Sequence, residues 1–328
     1  MSREIIGHDQ QRAALARLQR AGRLPATMLL AGPAGIGKSL IAGEAAASLL
    51  CEQQDAWGGC GRCRPCLLIE HRNHPDLFLV DCADSERWAL DGIRELLYSL
   101  HLRAFAGTNR VVIFDHAEDM SIQAANVLLK HLEEPRPNTW FILVSANQSR
   151  LPRTLLSRCQ VWFFDRLTDA GILAALRAHP ELTGGADPSE LVMLADGSIR
   201  QAQVLSEDLE AWATVRERLD GVMQGDLSGG FGWAVELGRK KDRLDRALLL
   251  MRIHARTRML SEADPARQAR WANLVTNILT AERLIFERNL APVGVLQLLM
   301  LHLAPGEALG SFTTLTNSDT FLDAALTL

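Results

Sequence analysis

The chain has 328 residues, 48% apolar and 23% charged, with 35 basic and 39 acidic side chains and a formal net charge of −4. That length suits about two or three domains, and the composition is that of a folded globular protein rather than a disordered one. The mild negative charge excludes a protein that coats nucleic acid through bulk positive charge.

Apolar runs at Thr27–Ala31, Leu77–Asp81, Val111–Asp115, Phe141–Ser145 and Val161–Phe164 read as strands. They are rich in Val, Ile, Leu and Phe with little polar alternation, the pattern of parallel strands covered on both faces. Helical patterns such as Ile122–Leu132 lie between them, so a three-layer α/β domain is expected over 1–165. After Asp165 the strands stop. Residues 166–205 read as short helices with a break at Gly184-Gly185 and a restart at Pro188-Ser189, and 206–328 as long helices. Asp264-Pro265 predicts a helix start, Asp as cap and Pro in the first turn. Trp271, Leu274, Val275, Ile278, Leu279 and Ile285 follow at helical spacing. Ala291-Pro292 ends that helix and Val293–Leu303 forms another, while the last ~20 residues, rich in Thr, Ser and Gly, are expected to be loosely ordered. No apolar run reaches the ~20 residues that span a bilayer. The opening MSREIIGHDQ lacks the layout of a signal peptide. A cytoplasmic chain without membrane contact is therefore expected, in which six cysteines point to metal or free thiols rather than disulfides.

Gly32-Pro-Ala-Gly35-Ile-Gly37-Lys38-Ser39 fits the phosphate-loop pattern without a mismatch, after a strand and at the start of a helix. The glycines let backbone N–H groups face phosphate oxygens, Lys38 would reach the β- and γ-phosphates, and Ser39 would hold Mg²⁺. Asp115 closes an apolar strand, where such enzymes place a second Mg²⁺ carboxylate. The next residue is His116 where hydrolysing members of this class carry a glutamate; Glu118 follows two residues on. ATP binding is therefore expected to be possible, with the chain's own hydrolysis weak or absent.

Cys51, Cys60, Cys63 and Cys66 are spaced C-x8-C-x2-C-x2-C. Short steps with intervening glycines let four thiolates converge on one tetrahedral ion, and structural Zn²⁺ is the natural match; free thiols and an iron–sulfur cluster are the alternatives. Cys82 and Cys159 lack ligand spacing and read as packing residues.

The phosphate loop, the cysteine insert after its helix, the stretch Ala125-Asn-Val-Leu-Leu-Lys-His-Leu-Glu-Glu-Pro135 and Ser157-Arg158-Cys159 occur in this order. Together they resemble the bacterial replicative clamp-loader ATPases of the AAA+ class, strongly over about 5–165. The resemblance implies a RecA-like domain carrying a zinc module near 51–66, a small helical lid at 166–205 and a helical collar at 206–328. It implies assembly with gamma/tau and delta subunits of a DNA polymerase III loader that places the sliding clamp on primer-template DNA. It further implies that Arg158 is a finger reaching a neighbour's ATP site, and that Asn147, after Ser145, and Arg200, in Gly197-Ser-Ile-Arg200, sense nucleotide. An ordinary cap or surface role is the alternative for each. Asp115-His116 and the length place the chain with the non-hydrolysing members; an autonomous or gamma/tau-like ATPase is the alternative, argued by the intact loop, and a zinc-stabilised nucleotide-binding module outside replication is a third. Glu133 and Glu134, at a helix end before Pro135, read as solvated. Arg94, Arg103 and Arg110 read as a solvated helix face or, alternatively, a surface toward DNA.

Overall fold

A computed structural model describes residues 5–304 apart from 54–56, 85, 102–103, 108, 208, 240 and 287. The last ~20 residues and Arg103 lie outside the described residues. The chain divides into two units, one running to Thr183 with Ala195–Ala202 added, the other comprising Gly184–Leu194 and the chain from Gln203.

In the first unit, α1 (Asp9–Arg20) leads to β1 (Thr27–Ala31), α2 (Lys38–Leu50), α3 (Arg64–Glu70), β2 (Leu77–Asp81), α4 (Leu90–Ser99) and β3 (Arg110–Asp115). Then come α5 (Ile122–Glu133), β4 (Thr139–Ser145), α6 (Arg153–Leu156), β5 (Gln160–Phe163) and α7 (Asp169–Ala178). The five strands form one sheet in the order β2-β3-β4-β1-β5, and every neighbouring pair is parallel. This is a three-layer α/β core around a parallel sheet, as the apolar runs predict.

The period-two geometry of strands splits their side chains between two cores. Leu29, Val112, Phe114, Phe141 and Leu143 pack with Ile93 and Leu97 of α4 and with Leu128 of α5. Met28, Leu30, Val111, Ile113, Ile142 and Val144 pack with Leu15 of α1 and with Ile41 and Ala45 of α2. Both faces of the sheet are thus apolar, which is why the strands read as unbroken hydrophobic runs. At ~1.5–3 kcal/mol for each large side chain buried, these two layers supply the main favourable term.

Arg110 corrects the sequence reading. It opens β3, is buried, and donates to the carbonyl of Leu100 at 2.7 Å, rather than standing on a solvated face. Arg94 is exposed and pairs with Asp91 at 3.1 Å.

The helices α8 (Pro188–Ala195) and α9 (Ile199–Ser206) follow, then α10 (Leu209–Met223), α11 (Leu227–Arg239), α12 (Lys241–Ser261), α13 (Pro265–Phe286) and α14 (Pro292–Leu303). Asp264 Oδ1 accepts the Ala266 N–H at 3.1 Å, the cap its sequence predicts. Trp271, Leu274, Ile278 and Ile285 of α13 are buried, but Leu279 is exposed. It stands one residue past the stripe, and the inward positions beyond Ile278 fall to Thr280 and Ala281. Among the described residues, no helix is long and apolar enough to cross a membrane.

The second unit buries one imidazole. His254 of α12 is 3% exposed, meets Asp220 at 3.1 Å, and has the rings of Trp212 and Trp271 edge-on at 5.6 and 5.4 Å. Burial lowers its pKa, against the pull of Asp220. The folded histidine therefore stays neutral over a range in which the unfolded one, with a pKa of about 6.5, takes up a proton. Stability is present above about pH 6.5 and falls as pH drops through that value toward the depressed folded pKa. His254→Gln keeps a donor toward Asp220 but cannot titrate. It should flatten this part of the acid loss, which melting temperatures of both chains between about pH 7.5 and 5 would read.

Candidate functional site

All five strands point the same way, so their carboxyl ends share one edge of the sheet. Strand order breaks around β1: the chain leaves it for distant β2, and β5 returns on its other side. In such sheets the crevice outside the carboxyl ends at that break is the binding position. The loop Gly32–Gly37 fills it, between β1 and α2.

Lys38 is 5% exposed and its Nζ donates to the carbonyls of Gly32 and Pro33 at 2.7 and 2.6 Å. Burial pulls its pKa below the ordinary lysine value, while Glu118 and Asp115 pull it back up. Ser39 Oγ donates to Asp115 Oδ2 at 2.7 Å. The hydroxyl and carboxylate that the sequence pairs for a divalent cation are therefore neighbours.

Gly35 and Gly37 both have positive φ, at +73° and +100°. A Cβ on Gly35 would collide with Ser198 Oγ and Arg200 Cβ, and the Arg200 N–H donates to the Gly35 carbonyl at 3.3 Å. The segment Gly197–Arg200 therefore lies directly on the phosphate loop, with Arg200 exposed. Ser145 is buried, its carbonyl accepts the Gly32 N–H at 3.2 Å and its Oγ accepts the Asn147 N–H at 3.1 Å. The Asn147 side chain accepts from the N–H and hydroxyl of Ser149 at 3.1 and 2.6 Å, capping a short turn.

The sequence reading omits two neighbours of this edge, Asp81 and His8. Asp81 ends β2 in register with Asp115, and its Oδ1 lies 2.8 Å from His116 Nδ1. His116 sits in the left-handed region at φ 50°. Burial alone would lower its pKa, yet the bond to Asp81 and the charges of Asp115, Asp81 and Glu118 hold it above the ordinary histidine value. Glu118 Oε1 accepts the Ala146 N–H at 2.9 Å at the end of β4. His8 Nε2 meets the Ile36 carbonyl at 2.9 Å, its ring edge-on to Phe164. The signal for Asp81 was present, since it closes an apolar strand as Asp115 does; His8 precedes α1 without any motif.

The cysteines gather at the other end of α2. The four Sγ atoms lie within 4.8 Å of one another, and Cys51 and Cys63 are 3.8 Å apart. Four sulfurs at about 2.3 Å from one tetrahedral ion stand about 3.8 Å apart, so the set fits a single metal. Backbone N–H groups of Arg62 and Cys63 pull the Cys60 thiol down to about 6, whereas burial pushes Cys66 up to about 12. Gly59, at φ +79°, leaves room where a Cβ would stand 2.8 Å from Cys66 Sγ. The insert is tied to α2 by Gly58 N–H to Ser48 Oγ at 2.7 Å and by Trp57 Nε1 to Glu44 at 2.9 Å, and Glu44 also pairs with Arg12 of α1 at 2.6 Å. Burial pushes the thiols of Cys82 and Cys159 up to about 12, consistent with packing roles.

Arg158 lies outside the loop. Its Nε and Nη2 donate to Glu133 Oε2 at 3.2 and 3.0 Å, and its Nη1 to the Thr154 carbonyl at 2.9 Å. Glu133 is exposed, as its sequence reading expects, and pairs with Arg158 at the surface.

Comparison with known proteins adds lineage to this geometry. Residues 7–168 match the family described as DNA polymerase III, delta subunit. The DNA polymerase III subunit delta′ of Pseudomonas aeruginosa is 43% identical over 132 residues, covering 40% of each chain. The subunit tau/gamma of Haemophilus influenzae is 32% identical over 209 residues, 62% of this chain and 30% of that one. A crystal structure of a gamma subunit-related protein from Thermotoga maritima covers 89% of this chain and 98% of its own at 17% identity, with a TM-score of 0.49. The chain thus spans two fifths or less of the length of these two sequence relatives.

The loop glycines give a direct check. Gly37→Ala meets open space and should carry only left-handed strain, about 1–2 kcal/mol. Gly35→Ala adds the collision with Ser198 and Arg200 and should destabilise more, as denaturant midpoints of the two variants would show.

Proposed function

We propose that this protein is a clamp-loader subunit of the delta-prime kind, a reading supported by the match of residues 7–168 to the family described as DNA polymerase III, delta subunit, and by the likeness to subunit delta′. In this reading it assembles with gamma/tau and delta subunits, helps place the sliding clamp on primer-template DNA, and supplies Arg158 to a neighbour's ATP site. Residues 1–165 form the nucleotide-type domain, 166–205 a lid and 206–328 the oligomerising collar. The observation that carries the reading is His116 directly after Asp115, where a hydrolysing subunit carries a glutamate.

Each residue then has a physical task. Backbone N–H groups at Gly35 and Gly37 and the start of α2 would hold phosphate oxygens, while Gly32, its N–H held by the Ser145 carbonyl, would shape the loop. Lys38 would exchange its two carbonyl partners for the β- and γ-phosphates, and Ser39 and Asp115 would hold Mg²⁺. Asn147 and Arg200 would report the nucleotide's presence from β4 and from the segment lying on Gly35. Lacking a glutamate after Asp115, the site binds ATP without efficient turnover. Arg158 acts outside its own chain: a fixed guanidinium beside a γ-phosphate offsets charge that develops in the transition state. Cys51, Cys60, Cys63 and Cys66 hold one Zn²⁺, a closed four-thiolate site that supplies folding energy rather than chemistry.

A gamma/tau-like ATPase is the second reading, favoured by the 2.7 Å contact of Ser39 and Asp115 and by Glu118 close to Lys38. Turnover of the isolated chain separates the two: the subunit reading expects negligible hydrolysis, whereas robust turnover abolished by Lys38→Ala would establish the ATPase.

The deciding experiment reconstitutes the loader with the organism's own gamma/tau and delta subunits, clamp and primed DNA. A finger is worth about 10³–10⁵ in rate at its own site, so Arg158→Ala should silence one hydrolysing site and clearly lower the loader's steady-state turnover. Unchanged turnover in a complex that still assembles would remove the finger role. Metal analysis of the purified chain should find one zinc per chain, and Cys60→Ser should lower both zinc content and melting temperature.

A further inference from the structure

The guanidinium of Arg158 is already occupied within its own chain. Its Nε and Nη2, the edge that would grip a phosphate side-on, both converge on Glu133 Oε2 at 3.2 and 3.0 Å. The remaining nitrogen, Nη1, donates to the Thr154 carbonyl at 2.9 Å and the Ser157 hydroxyl at 3.4 Å. One side of the guanidinium is thus anchored on backbone and hydroxyl, and the other carries a single carboxylate oxygen. Glu133 is the last residue of α5, where the helix dipole disfavours a carboxylate, and Thr154 belongs to the short α6. The arginine therefore neutralises an acid that its own helix end repels. The Arg158 side chain is 29% exposed and that of Glu133 is 60% exposed, so an outside anion can reach the pair.

We propose that Glu133 is a positioning residue: it occupies the phosphate-binding edge of Arg158 and gives it up only to the γ-phosphate of a neighbour's nucleotide. The proposal rests on the finger reading of Arg158. A carboxylate carries one negative charge and a γ-phosphate more, so the nucleotide wins the exchange in the assembled site. Until then Glu133 keeps the side chain on its anchor instead of sampling its many rotamers. Glu133 therefore raises the ATP concentration the neighbour's site needs, by the modest factor an exposed ion pair supplies.

The test compares wild type, Glu133→Gln, Arg158→Ala and the double variant in the reconstituted loader, alongside labelling of the free chain with an arginine-specific dicarbonyl reagent. Glu133→Gln should lower the KM for ATP about two- to fivefold, whereas the fall in kcat belongs to Arg158→Ala. In the Arg158→Ala background Glu133→Gln should do nothing further. In the free chain, Arg158 should label about two- to fivefold faster when Glu133 is Gln, and Glu133→Asp should restore part of the protection. Equal labelling in wild type and Glu133→Gln, or a KM effect that persists without Arg158, would overturn the positioning role while leaving the finger intact. Unchanged turnover in Arg158→Ala would overturn the finger and the positioning role with it, even if the labelling difference survives.

Discussion

Parallel pairing of five strands brings the candidate chemistry to one edge. Because β1, β2, β3 and β4 run in the same direction, Ala31, Asp81, Asp115 and Ser145 all terminate strands on the same side of the sheet. Ser39, Lys38 and the loop backbone then face a row of acids and carbonyls without any side chain travelling far. A one-residue slip of β3 would turn Phe114 out of its core and pull Asp115 away from Ser39. The close packing of Phe114 within its own layer resists that slip. The geometry of the loop is thus held by the packing of Leu29, Phe114, Phe141 and Leu143 as much as by its own glycines.

The same constraint explains what was readable beforehand. Strands covered on both faces are unbroken apolar runs, so their positions follow from composition alone. The observed β1 and β2 begin and end where the sequence places them, while β3 and β4 start one and two residues earlier. Those extra residues, Arg110 and the Thr139-Trp140 pair, are drawn into the ladder by partners in β4 and β3 that no local pattern contains. The phosphate loop and the cysteine cluster were legible because backbone geometry and tetrahedral ligation demand fixed local spacing. Asp81, His8 and Glu133 were not, because each acquires its partner across 25 or more residues. Arg110 shows the converse failure, since a charged residue reads as solvated unless the carbonyl that receives it, Leu100, is known.

The edge that resembles an ATPase also departs from one in a coherent way. His116 stands after Asp115, its surroundings hold its pKa up and Asp81 fixes its ring. That position therefore carries a tethered imidazole rather than a free carboxylate. In the proposed reading the loop holds nucleotide and the chemistry lies in what the chain offers a neighbour.

One helix carries both specialised regions. α2 has 13 residues, so its phosphate end and its thiolate end are about 20 Å apart. The helix is mechanically one rod, clamped near its middle by Glu44 to α1 and to the cysteine insert. A disturbance at the thiolates therefore reaches the loop as a tilt of that rod.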